Sequence, residues 1–399
     1  MTNAEIVRMG EENFMHTYAS YPIAFKSGKG CYLYDEDGNE YLDMVAGIAV
    51  NALGYGNNRL TEALISQLET GLIHTSNLYY NEKAVTAASK LNALAGSCEV
   101  FFCNSGAEAN EAAIKLARKY GSSSGRSKII SMNHSFHGRT YGAITLTGQD
   151  KYHVGFSPLL PSVAYAEFNN IESVKAAASE DCIAIIVEPI QGEGGVIKAE
   201  KRFLEELRAF CDERDILLIF DEVQCGMGRT GYAFAYQNYG VTPDILTLAK
   251  ALGGGVPMGA CVGFSRVKGV FTPGNHASTF GGNYLAAAAA NVMLDILAEG
   301  DLLLHVQEVG AYLEEKIKEL CERFPSICLE SRGLGLMRGI VLSIKPAEVV
   351  QACLYKGLLV ASAGYDVLRF VPPLVIRKEE IDKAMDILSS VLQEFVDRR

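Results

Sequence analysis

Ile216-Leu217-Leu218-Ile219-Phe220-Asp221 and Ile245-Leu246-Thr247-Leu248-Ala249-Lys250 are the stretches that decide the fold. Each is a short, mainly apolar run that stops at a charged residue, as expected of a strand buried on both faces of a parallel sheet. Asp221 and Lys250, 29 residues apart in sequence, would then share the carboxyl edge of one sheet, where open α/β sheets bind ligands. Taken singly, a lysine with its stem on apolar surface and an aspartate at a strand end are ordinary features. Their pairing makes them candidates for chemistry.

Working outward, comparable runs stand at 100–103, 128–131, 183–187 and 261–264, with helical patterns at 108–120 and 201–214. Such alternation predicts an α/β fold, a mostly parallel sheet covered by helices on both faces. Upstream, 31–43 alternates apolar and polar residues around Asp37-Gly38, a β-hairpin signal. From Tyr284 the pattern changes to one long helix, short strands at 327–330, 337–344 and 358–361, and a final helix from Glu379. The chain therefore divides into a large domain, 51–283, and a smaller α+β domain, 284–399, which the amino-terminal segment 1–50 joins. No repeat or flexible linker separates them, so a close interface is expected.

The 399 residues are 49 % apolar and 21 % charged, which fits a globular protein with a large core. A net charge of −11 and the lack of any basic run argue against nucleic-acid binding. Ten scattered cysteines without a Cys-x-x-Cys pair read as reduced thiols. Residues 1–18 carry acidic groups and no long apolar core, unlike a secretory signal. No stretch reaches the roughly 18 apolar residues of a membrane span. A cytoplasmic protein without a membrane partner is expected.

Asn104-Ser105-Gly106-Ala107-Glu108 lies between a strand and a helix. Ser105 and Glu108 have capping-box spacing, and small residues there leave the first helical N–H groups open to an anion, although a plain helix start looks the same. Ser278-Thr279-Phe280-Gly281-Gly282-Asn283 offers two hydroxyls before a glycine pair, either a second phosphate anchor or an ordinary cap. His134-Ser135-Phe136-His137-Gly138-Arg139 has no third ligand at helical spacing, so no metal is expected. Phe136 suits stacking on a planar ring, and Arg139 a bidentate grip on a carboxylate. Glu188 and Glu193 flank a glycine-rich loop, which reads as a binding loop rather than the paired acids of a glycosidase. Arg369 sits in the apolar stretch 367–371; an unpaired guanidinium there is costly, so a carboxylate partner is expected. A lysine for a Schiff base, a carboxylate to keep a pyridine nitrogen protonated and a phosphate cradle are together what pyridoxal phosphate requires.

These segments resemble class III pyridoxal-phosphate-dependent aminotransferases of fold type I. Asp221-Glu222-Val223-Gln224-Cys225-Gly226, followed by Lys250-Ala251-Leu252-Gly253-Gly254, is similar to that family's signature in residue type and spacing. The similarity runs from Gly28-Lys29-Gly30 to Arg369-Phe370-Val371-Pro372-Pro373. Within the class, segments 47–54 and 74–82 look most like acetylornithine aminotransferases. Lys83 stands where many of those enzymes have a proline, which bears on donor preference.

The resemblance implies a large domain with a seven-stranded, mostly parallel sheet, pyridoxal 5′-phosphate as cofactor, and a homodimer whose active site lies at the subunit boundary. It implies that Lys250 carries the Schiff base and then shuttles the substrate proton. Asp221 would pair with the ring nitrogen, Glu222, Val223 and Gln224 would belong to the cofactor site, and Phe136 would stack on the ring. Ser105, Gly106 and Ala107 would hold the phosphate together with the partner subunit's Thr279. Arg139 and Ser278 would bind substrate. Glu193 would mask Arg369 for an ω-amine donor and release it for the α-carboxylate of glutamate. The expected reaction transfers the δ-amine of N2-acetylornithine to 2-oxoglutarate, a step of arginine biosynthesis. Ornithine, succinylornithine, acyl-lysine-type donors and 4-aminobutyrate stay open as donors. A pyridoxal-dependent decarboxylase or aminomutase shares the fold and Lys250, whereas a paired Glu193 and Arg369 favour two alternating substrates and hence transamination.

Overall fold

The computed structural model describes residues 1–398. Seven strands form the central sheet in the order Glu99–Cys103, Gly259–Gly263, Ile245–Leu248, Leu217–Asp221, Cys182–Val187, Lys128–Met132, Val163–Ala166. Six run parallel, and Gly259–Gly263 opposes both its neighbours. The three strands Ile245–Leu248, Leu217–Asp221 and Cys182–Val187 are buried throughout. Strand periodicity splits their side chains between two cores. Leu217 and Ile219 pack with Ala113, Leu116 and Ala117 of the helix Gly106–Gly121. Leu218 and Phe220 face the other core, with Phe203 and Leu207 of the helix Lys201–Glu213.

Two further four-stranded sheets lie outside this layer, besides a two-stranded antiparallel ribbon of Ile190–Gln191 and Ile197–Lys198. Phe25–Lys29, Tyr32–Asp35 and Glu40–Asp43 form an antiparallel meander around the expected turn. Its last strand pairs in parallel with Leu358–Leu359, tying the amino-terminal segment to the carboxyl-terminal one. The other sheet runs Cys328–Leu334, Met337–Leu342, Val367–Phe370, Ala361–Ala363, all antiparallel.

Several elements differ from their sequence patterns. The single long helix from Tyr284 is two, Tyr284–Glu299 and Asp301–Arg323, because Gly300 adopts φ 87°, a left-handed conformation that ends the first. Tyr284–Glu299 packs on the helices Asn58–Glu69 and Glu82–Ala95 through the buried alanines Ala286 to Ala290, whose small side chains permit close approach. The strand read at 358–361 is split between two sheets at Val360. Val163–Ala166 was not apparent as a strand: it is a short edge strand whose Tyr165 side faces outward. All ten cysteines are free thiols, nine of them buried. Among the described residues no helix is long and apolar enough to cross a membrane, and no His/Cys/Asp/Glu group could hold a metal.

Candidate active site

Strand parity places the first candidate. Asp221 closes the Leu217–Asp221 strand on the same face as Leu217 and Ile219, under the helix Gly106–Gly121. Asn110 of that helix donates from Nδ2 to Asp221 Oδ2 at 2.7 Å, and His137 Nδ1 lies 2.7 Å from the same oxygen. Val223 N–H donates to Oδ1 at 3.0 Å. Asn110 is itself fixed, accepting from Thr247 Oγ1 at 2.8 Å and donating to the His137 carbonyl at 2.8 Å. Asp221 is thus immobilised from three sides while bordering a cavity of about 370 Å³.

Lys250 borders the same cavity, two residues beyond the end of Ile245–Leu248. It opens the short turn Lys250–Gly253 with φ 48°. A left-handed backbone is uncommon for a residue with a side chain and costs on the order of 1–2 kcal/mol. Among the described residues its ε-amine has no hydrogen-bond partner. Burial lowers its pKa to about 8; Arg369 pushes the same way, against Glu193, Asp221 and Glu188.

At the head of the Gly106–Gly121 helix, Ser105 Oγ accepts from Glu108 N–H at 3.2 Å. The second half of the expected capping box is displaced by one residue: Glu108 Oε2 accepts from Asn104 N–H at 2.7 Å instead of from Ser105. The N–H groups of Gly106 and Ala107 belong to the first helical turn, which has no intrahelical acceptors, and both residues line the cavity. A Cβ on Gly106 would stand 2.7 Å from a Val223 methyl, so only glycine brings the helix this close to Val223.

Glu193 and Arg369 meet in direct ion-pair contact. Arg369, 2 % exposed, also donates to Gln224 Oε1 at 3.1 Å and to the Gly192 carbonyl at 3.4 Å, and Gln224 Nε2 donates to Glu193 at 3.1 Å. Burial pushes the Glu193 carboxyl up, but Arg369 and Lys250 outweigh it and hold the group below the usual carboxylate range. The partner expected for Arg369 is therefore supplied by the protein.

The cavity wall gathers Lys250, Asp221, Ser105, Gly106, Ala107, Phe136, Val223, Gln224 and Glu193. Arg369 does not border the cavity itself but contacts Glu193 and Gln224, which do, and four further expected residues lie elsewhere. Glu222, one residue past Asp221 and so of opposite parity, turns away from the cavity. Its buried carboxyl accepts from the N–H groups of Ala235 and Tyr236 at 2.5 and 2.7 Å, capping the helix Ala235–Tyr239. Arg139 is exposed, stacked over Tyr152 at 4.1 Å. Ser278 is half-buried, its Oγ accepting from Asn104 Nδ2 at 3.1 Å. Thr279 is exposed and does not border this chain's cavity.

Three residues at the site were not assigned from sequence. Asn110 and His137 hold Asp221; their partnership arises only when helix and sheet pack. Glu188 accepts from Phe136 N–H at 3.0 Å and Gly192 N–H at 3.4 Å, and burial followed by the Asp221 charge raises its pKa well above the carboxylate range.

A pyridine ring bearing a phosphate and an aldehyde finds a counterpart for each part here: a fixed carboxylate, an aromatic face at Phe136, free helical N–H groups and an unpartnered amine. The residues present fit pyridoxal phosphate.

Residues 14–392 match the class-III aminotransferase family. The chain is 50 % identical over 384 residues to an acetylornithine aminotransferase of Caldanaerobacter subterraneus, covering 95 % of this chain and 97 % of that one. It is 44 % identical to that of Bacillus subtilis, with 95 % and 97 % covered. Among solved structures it superposes on N-acetylornithine aminotransferase from Stenotrophomonas maltophilia with TM-score 0.85 at 37 % identity, covering 98 % and 100 %. Ornithine aminotransferase from Toxoplasma gondii gives 0.94 at 32 %, covering 100 % and 97 %; another structure of it, at the same score and identity and covering 100 % and 95 %, carries pyridoxal phosphate in its active site at partial occupancy. The chain belongs to the class-III aminotransferases, enzymes that use pyridoxal 5′-phosphate as cofactor.

Proposed function

We propose that this enzyme transfers the δ-amino group of N2-acetylornithine to 2-oxoglutarate, giving N-acetylglutamate 5-semialdehyde and glutamate, and works as a cytoplasmic homodimer. The observation that carries the reading is the buried Glu193–Arg369 pair with Gln224 beside Lys250. A carboxylate-binding arginine that is masked by a neighbouring glutamate suits an enzyme that must accept two different substrates in turn. The name shared by the full-length relatives supports the donor.

The bound cofactor supplies an electron sink, and the protein supplies position and charge. Lys250 Nζ, whose pKa burial lowers to about 8, would take the proton from the substrate carbon that bears the amine. Asp221 would hold a proton on the ring nitrogen, its oxygen kept in place by the grip of Asn110 and His137. Phe136 would cover one ring face, and Val223 and Gln224 would border the ring. Ser105, Gly106 and Ala107 would bind the phosphate through the helix start. Arg139 and Ser278 receive the carboxylate end of the donor. Glu193 covers Arg369 during that half-reaction and yields it to the α-carboxylate of glutamate in the other.

The partner subunit's Thr279 would complete the phosphate site. In support, the loop bearing Thr279 is stitched to 77–81 by Asn77 Nδ2 to the Ser278 carbonyl at 2.7 Å and Asn81 Nδ2 to the Gly282 carbonyl at 2.8 Å. Around it Leu78, Tyr79, Tyr80 and Phe280 are 87, 71, 96 and 58 % exposed, an apolar patch suited to a subunit contact. Pairing of Leu358 with Leu42 likewise supports a small domain built from 1–50 and 284–399 around a cofactor-binding domain of 51–283.

A donor panel of acetylornithine, ornithine, succinylornithine and 4-aminobutyrate at fixed 2-oxoglutarate tests the reading. The highest kcat/KM is expected for acetylornithine; a tenfold preference for ornithine would overturn the donor, and carbon dioxide release would overturn transamination.

A further inference from the structure

Arg139 has no carboxylate partner among the described residues. Its guanidinium carbon stands 4.1 Å from the centre of the Tyr152 ring and 5.5 Å from that of Phe136. The two rings meet edge to face, 5.7 Å apart at 77°, forming an aromatic corner of which Phe136 is the cavity wall. The nearest acid in sequence, Asp150, is fully exposed and lies 4.0 Å from His153. What fixes this long, exposed side chain is therefore the face of Tyr152, through the attraction of a cation to a π system.

The loop that carries Tyr152 has an anchor of its own. Lys151 Nζ stands 4.8 Å from the Tyr152 ring centre and 5.3 Å from that of Tyr365. Tyr365 is at the tip of the hairpin joining Ala361–Ala363 to Val367–Phe370. That hairpin returns through Arg369, and its Gly364 N–H donates to the Glu193 carbonyl at 3.0 Å. One hairpin thus touches both the masked arginine and the loop under the exposed one.

We propose that Tyr152 is a positioning residue for donor recognition: its ring holds the Arg139 guanidinium at the cavity mouth, ready for the donor carboxylate, and Lys151 clasps that loop to the Tyr365 hairpin. The proposal rests on Arg139 as the donor-carboxylate site. Without the ring, Arg139 keeps its charge but samples many rotamers, and the loss falls on binding rather than on the proton transfer at Lys250.

The test compares acetylornithine with N-acetyl-1,4-diaminobutane, the same amine without its carboxylate, in Tyr152→Leu, Tyr152→Phe, Arg139→Ala and the Arg139→Ala/Tyr152→Leu double variant. Tyr152→Leu should raise KM for acetylornithine about tenfold with kcat within twofold, and leave kcat/KM for the decarboxylated amine unchanged. Tyr152→Phe should keep wild-type behaviour, because the ring and not the hydroxyl is what acts. In the Arg139→Ala background Tyr152→Leu should have no further effect on the ratio of the two donors. Equal losses on both donors, equal damage from Phe and Leu, or an undiminished Tyr152→Leu effect without Arg139 would each overturn the proposal. If Arg139→Ala leaves the donor ratio unchanged, the underlying assignment of Arg139 fails first, and the two failures are distinguishable.

Discussion

Replacing Glu193 by alanine tests the proposed masking of Arg369. The wild-type guanidinium is 2 % exposed and has one carboxylate partner among the described residues, with two neutral acceptors at 3.1 and 3.4 Å. A hydrogen bond to a charged group contributes about 1.5–3 kcal/mol, and breaking a fully buried pair costs about 3–5 kcal/mol. The Glu193 side chain is 24 % exposed, so the lower range applies, and about 2 kcal/mol of competition with an incoming α-carboxylate disappears. At about 1.4 kcal/mol per factor of ten, kcat/KM for glutamate relative to that for acetylornithine should rise roughly 30-fold. Each half-reaction can be followed separately by the absorbance change of the bound cofactor under single-turnover conditions. Gln224 and Gly192 keep Arg369 in place, so the gain should appear in apparent affinity for glutamate. A ratio that moves less than threefold would refute the masking role.

Two further predictions concern titration and attachment. In the cofactor-free enzyme Lys250 has a pKa of about 8 against 10.5 when unfolded. The unfolded chain then holds the extra proton between those values, so stability rises with pH across that window, by up to about 1.4 kcal/mol per unit. Lys250→Met should flatten the rise in urea midpoints, and borohydride reduction of the loaded wild type should fix the pyridoxyl group on Lys250 alone; an unchanged slope or label elsewhere would remove the assignment. Glu222 gives the opposite sign: burial raises it to about 8 from 4.5, the folded state holds the extra proton, and stability falls as pH rises from 4.5 to 8. Glu222→Gln should remove that fall while leaving the cofactor spectrum unchanged, and a shifted spectrum would place Glu222 at the ring after all.

Lys250 and Asp221 were legible because each ends an apolar run, and buried parallel strands deliver their last residues to one edge. Arg369 was legible for a different reason: a guanidinium in an apolar strand demands a partner, and Glu193 meets it. Glu222 shows where the pattern misled. It lies inside the signature, but a strand sends neighbouring residues to opposite faces, so the residue beside Asp221 is bound to serve the other core. Asn110 and His137 left no comparable mark. Their contact with Asp221 joins positions 111 and 84 residues apart, and only helix-on-sheet packing creates it. The same holds for the break at Gly300, which an unbroken apolar periodicity conceals, and for the edge strand at Val163, whose outward face lacks the apolar run that marks a central strand.

The two glutamates of the 188–195 loop differ in how readily each could leave its partners, which bears on the proposed switch at Glu193. Glu188 and Glu193 are five residues apart, yet their surroundings drive them in opposite directions. Glu188 is walled in, and burial and the neighbouring Asp221 charge raise its pKa; its oxygens accept the N–H groups of Phe136 and Gly192. Swinging it out would orphan two backbone donors and loosen the ring-facing Phe136. Glu193 faces two cations and is partly solvated, so leaving Arg369 exchanges one charge partner for another carboxylate and for water. Under the proposed switch the substrate brings its own carboxylate, so the guanidinium would not be left unpaired and the large cost of breaking a buried pair would be avoided. The loop therefore combines one acid fixed in the wall by two backbone N–H groups with a second whose carboxylate is tied, among the described residues, only to the Arg369 and Gln224 side chains, as the proposed switch requires.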